Sequence, residues 1–138
     1  MISAFSKFST AILAAAMLFT SCEKEKEVTV NNPVYNIRGN GSGKQEVPAN
    51  TSTATGTISG TYNKTTNLLT YTINWSGLTG GNPTAGHFHG AADPGVSASV
   101  KVPFTNFPTT ATGTFSGTTT LSDADEADFV SGLWYFNI

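Results

Sequence analysis

The sequence predicts an all-β protein: an antiparallel β-sandwich or barrel-like domain with one short helix near the C-terminus. Three observations carry this. Apolar side chains recur with period two in the clearest segments, the spacing of a half-buried strand. Charged residues make up only 12% of the 138-residue chain. Thr, Ser, Gly and Asn fill the polar positions instead, a composition that favours strands and turns over helices.

The elements follow in chain order. Lys7 and the amino terminus precede the apolar run AILAAAMLF (residues 11–19). That run has signal-peptide length and falls far short of the roughly 20 residues a membrane-spanning helix needs. Thr20 and Ser21 then lead into Cys22, the sole cysteine of the chain. The pattern resembles the lipobox of bacterial lipoproteins, in which the cysteine becomes the lipidated first residue. The alternative is an ordinary secretory signal that leaves an unpaired thiol. Residues 1–21 are therefore expected to be a signal peptide. Residues 22–40 are expected to form the lipidated Cys22 and a solvated tether, beginning EKEKE. Acidic residues directly after such a cysteine also resemble surface-export signals of some Gram-negative bacteria. Cleavage before Cys22 would leave 117 residues, one domain's length, with six basic residues against nine acidic. Nothing in that balance suggests nucleic acid as a partner.

Within the domain, ATGTISGTY sets Ile58 and Tyr62 against Thr57, Ser59 and Thr61. LLTYTINWSG sets Leu69, Tyr71, Ile73 and Trp75 against Thr70, Thr72 and Asn74. NKTTN between them is a turn, so the two strands form a hairpin. TATGTISGT (residues 53–61) recurs as TATGTFSGT (residues 110–118), differing only where Ile58 becomes Phe115. Glycines in register on the apolar face of both copies point to a bend or to close approach of another strand. Ser122, with Asp125 three residues on, is the start of a helix, and Gly132 is its end. Asp123, Asp125 and Glu126 crowd its first turn, where capping and the helix dipole account for them better than calcium does. LWYFNI reads as a buried strand.

His87 and His89, the two histidines of the chain, stand one residue apart before Asp-Pro-Gly. In a strand they share one face, with Phe88 turned to the core. Such a pair could chelate copper or zinc with Asp93 adding an oxygen ligand. Alternatively, the imidazoles anchor the AADPGVSA loop by hydrogen bonds to carbonyls. The pair is superficially similar to the His-x-His strand of copper–zinc superoxide dismutases, but the further histidines and the cysteine pair of that fold are missing. There is no Gly-x-Ser-x-Gly elbow and no phosphate-binding glycine loop. No enzyme activity and no cofactor is expected, copper or zinc at the histidines being the alternative.

Several of these motifs, in order, resemble the CHRD domain, first described in chordin and common in bacterial secreted proteins. They are Gln45-Glu46-Val47-Pro48, the Ala-Thr-Gly strand, the Leu-Thr-Tyr strand, His87-x-His89-Gly90, and the helix, Gly and aromatic strand. The resemblance spans residues 41–138. It implies an extracellular β-domain without defined catalysis. With the lipobox, the expectation is a cell-envelope, outer-membrane lipoprotein, periplasmic or surface-exposed, whose partner is the membrane, through its anchor. Family members continue the aromatic strand into a further closing strand, so the resemblance implies that this one stops short of it.

Overall fold

The computed structural model describes residues 33–138; the signal segment, Cys22 and the EKEKE run lie outside the described residues. The element order is β1 (Val34–Ser42), a 3-10 turn (Gly43–Gln45), β2 (Thr55–Asn63), β3 (Leu68–Ser76), β4 (His87–His89), β5 (Val100–Pro103), β6 (Gly113–Thr120), α1 (Asp123–Val130) and β7 (Tyr135–Asn137). These form a four-stranded antiparallel sheet, β1-β2-β3-β6, and a three-stranded antiparallel sheet, β5-β4-β7. The architecture is sandwich-like, all-β with one short helix.

The β2–β3 hairpin forms as its alternation requires. Leu69, Tyr71, Ile73 and Trp75 are all buried, as are Ile58 and Tyr62. The side chain of Asn63 accepts from the amides of Thr65 and Thr66, and Asn67 takes a left-handed backbone with φ of 53°. Aromatic rings join the two sheets: Phe88 of β4 meets Tyr71 edge-on with centroids 4.8 Å apart, and Phe104 after β5 meets Phe115 of β6 at 5.3 Å. Edge-on and offset rings of this kind add modestly to the area they bury.

β1 extends the folded region to Val34, into residues that the sequence reads as tether. Its nine residues pair along their whole length with β2, from Val34↔Asn63 to Ser42↔Thr55. The strand was hidden because its inward positions include Gly39 and Gly41, which carry no apolar signal. Gly41 and Gly56 lie side by side under the ring of Phe136, where an added Cβ would come within 2.9 and 3.2 Å of it. The aromatic run near the end is half-buried rather than buried, and its strand is only Tyr135–Asn137.

Helix α1 is capped as its sequence predicts. Ser122 Oγ accepts from the Asp125 amide at 3.2 Å, and Ser122 Oγ donates to Asp125 Oδ2 at 2.7 Å. At the other end, Gly132 N bonds Phe129 O and Leu133 N bonds Asp128 O, the paired reverse bonds of a Schellman close. The first-turn carboxylates also tie the helix to the strands. Asp125 pairs with Lys101 of β5, and Glu126 pairs with Lys64 at the β2–β3 turn. The Lys101 ammonium, then the Ser122 hydroxyl, holds the Asp125 carboxyl below the usual carboxylate range.

Candidate functional site

The two histidines open into different surroundings because β4 pairs on both edges. His87 stands opposite Pro103 and Asn137, and His89 opposite Val100 and Tyr135. Phe88 between them is buried in the core, so both imidazoles lie on the outer face of the three-stranded sheet, their centroids 5.5 Å apart.

His89 is committed to the loop that follows. Its Nδ1 lies 2.9 Å from the Ala98 carbonyl oxygen, and a carbonyl only accepts, so Nδ1 carries the proton. Its ring stacks on Tyr135, with centroids 5.0 Å apart and planes within 4°. The Tyr135 hydroxyl in turn accepts from the Ala98 amide at 3.1 Å. The two side chains thus hold both polar groups of one loop residue, as a neighbouring strand would. Gly90 N to Ser99 O and Ala92 N to Leu133 O complete the attachment.

His87 has no such role. Its Nδ1 is buried and has no hydrogen-bond partner among the described residues. A buried bare lone pair is less costly than a buried orphan N–H, so the proton belongs on Nε2. Beside it, Asn137 Nδ2 donates to Glu46 Oε2 at 2.9 Å, which ties the segment after the 3-10 turn to β7. An open groove of about 660 Å³ borders His87, with Asn50, Ser52, Asn82 and Asn137 along it.

Asp93 does not join the histidines. It is exposed in the turn, where its carbonyl accepts from Val96 N. Among the described residues, no three His, Cys, Asp or Glu side chains gather closely enough to hold a metal ion together. The two histidines also present unlike nitrogens. His89 keeps a lone pair on Nε2, whereas the lone pair of His87 is the buried one. Chelation by the pair would move a proton onto the buried Nδ1. Gln45 accepts from Ser42 Oγ at 2.9 Å.

A family model for the CHRD domain matches residues 37–138. The chain belongs to the CHRD domain family. No curated protein and no solved structure matches it. In this CHRD domain the His-x-His-Gly segment is a strand whose second histidine clamps a loop with Tyr135. Sequence reasoning missed Tyr135 because its partner lies 37 residues away at Ala98. The one available signal was the alternation of the last strand, which sets Tyr135 and Asn137 opposite the histidines while Phe136 faces Phe88.

His89→Ala is expected to leave the Ala98 carbonyl without its partner and to cost about 1–3 kcal/mol. Denaturant unfolding measures that cost. Amide exchange should accelerate in residues 91–99 and stay unchanged in β2 and β3.

Proposed function

We propose that the protein is a lipid-anchored CHRD domain of the bacterial cell envelope, with a non-enzymatic binding or display role. The observation that carries the anchor is the run from the apolar segment through Thr20 and Ser21 to Cys22. A diacyl or triacyl cysteine supplies more than one buried chain, which a stable membrane hold requires. The EKEKE run that follows is the solvated tether between anchor and domain. The non-enzymatic reading is supported by the histidine face. His89 is engaged by the loop, Glu46 by Asn137, and the acidic first turn of α1 by Lys101, Lys64 and the cap.

Metal binding at His87 and His89 is the weaker reading. With Asp93 apart, copper or zinc would have at most two protein ligands, one of them gained against burial of an N–H. The ligand set suits copper(II) better than zinc.

Cys22→Ser tests the anchor. The substituted protein is expected to leave the membrane fraction or to accumulate uncleaved, and a fatty-acid label should be lost from it. A cleaved Cys22→Ser protein that stays in the membrane would show the lipobox reading to be wrong.

A further inference from the structure

The repeated segment acquires a meaning once the strands are placed. β2 and β6 lie on either side of β3, both antiparallel to it, so the two copies of the repeat run in the same direction. They are also in register. Thr57, Ser59 and Thr61 share rows with Thr114, Ser116 and Thr118, because Asn74, Thr72 and Thr70 pair with both. All six are exposed. The one position at which the copies differ, Ile58 against Phe115, points into the core. Packing alone would hold the inward residues fixed and let the outward ones vary. Here the inward glycines Gly56 and Gly60 repeat as Gly113 and Gly117, as packing requires, and the outward hydroxyls repeat without change as well.

The result is a grid of short hydroxyl side chains. Strands lie about 4.8 Å apart and alternate residues about 6.7 Å apart, so the two copies repeat across the sheet at about 9.6 Å. Threonine is stiff at χ1, so these groups lose little freedom when something is laid on them. Across the three rows that β1 completes with Asn36, Arg38 and Asn40, Arg38 is the single charged residue. Carboxylates among the described residues lie on α1, in the β4–β5 loop, or just after the 3-10 turn.

From this face we infer that the four-stranded sheet binds a neutral, hydroxyl-rich extended polysaccharide, seated on the paired repeats. Charge complementarity argues for that occupant. One cation gives nucleic acid or an anionic membrane little to hold. The rows contain no aromatic anchor of the kind a protein interface centres on. Ice would require a flat lattice, and a sheet of four strands twists by roughly 20–25° at each step. A polymer chain follows that twist, and its hydroxyls exchange donor and acceptor roles with Thr, Ser and Asn. The inference rests on the binding role proposed above and is independent of the lipid anchor.

Co-sedimentation of the purified full chain with cellulose, chitin and curdlan tests it. Binding to at least one glycan is expected. Thr57→Val with Thr61→Val, Thr114→Val and Thr118→Val removes the hydroxyls while keeping side-chain shape, and should reduce binding at least tenfold. Thr57→Lys with Thr114→Lys covers the grid with long charged chains and should do the same. An unchanged cooperative thermal transition confirms that each variant is folded, and His89→Ala should bind as the parent does. Failure of the parent chain to bind any of the three glycans overturns the inference, and so does binding that both variants retain. Loss in the lysine variant alone would overturn recognition through hydroxyls, and shaping of ice crystals without glycan binding would overturn the choice of occupant. Each of these failures would leave the Cys22 result untouched.

Discussion

Gly60→Ala is expected to cost on the order of 4–5 kcal/mol, the top of the range for a single substitution. A β-carbon built at Gly60 would run into the Thr70 carbonyl oxygen and lie 2.9 Å from the Tyr71 Cα. Both atoms are backbone of β3, the strand paired with β2 at this point through Gly60↔Tyr71. No rotamer change relieves such a contact. Either the central ladder of the larger sheet opens or β2 bows away from the core it shares with Ile58 and Tyr62. A domain of this size is stable by about 5–15 kcal/mol in all, so the substitution removes a large part of that margin. Gly80→Ala is the control, because nothing lies within 4 Å of its built β-carbon. Thermal and denaturant unfolding should separate the two variants clearly. A Gly60→Ala protein within about 1 kcal/mol of the parent, inside the range of ordinary surface substitutions, would mean that β2 and β3 do not approach as described.

The same glycine shows how far the sequence could be read. The repeat put Gly60 and Gly117 at matching places and pointed to close approach. It did not distinguish their neighbours: Gly60 meets backbone, whereas Gly117 meets the Tyr71 hydroxyl at 2.6 Å from its built β-carbon. Where one strand carries its own large apolar residues, as β3 does, the alternation was sufficient. Where the inward positions are glycines filled by a ring from elsewhere, as in β1 under Phe136, the signal belongs to another part of the chain. The histidine face divides in the same way. Alternation alone placed both imidazoles on one side of β4. Their different roles depend on Ala98, Tyr135 and Asn137, which only the pairing of three short strands brings together. The caps of α1, by contrast, are local chemistry and were fully legible.

Raising the pH from 10 to 12 is expected to remove about 2 kcal/mol of stability through Tyr62 alone. Tyr62 is fully buried, and its hydroxyl donates to Glu126 Oε2 at 3.1 Å, with Asn67 Oδ1 at 3.3 Å as a second acceptor. Burial, and then the adjoining Glu126 carboxylate, pushes the phenol from 10.0 up to about 12. Below pH 10 the phenol is protonated in both folded and unfolded chains, and its full contribution is present. Between 10 and 12 the unfolded chain releases most of its proton while the folded chain largely keeps it, so stability falls by about 1 kcal/mol per pH unit. Above 12 both states are ionised and the contribution is gone. Tyr71, raised by burial, and Lys64, raised by Glu126, lose stability in the same direction. The difference between the parent and Tyr62→Phe isolates the one group. At pH 7 the phenylalanine variant should be less stable by about 0.5–1.5 kcal/mol, the net value of a hydrogen bond. Because phenylalanine does not ionise, the two stability curves should cross between pH 10 and 12, with the variant the more stable at 12. Parallel curves across that interval would place the Tyr62 hydroxyl in water, away from Glu126 and outside the core.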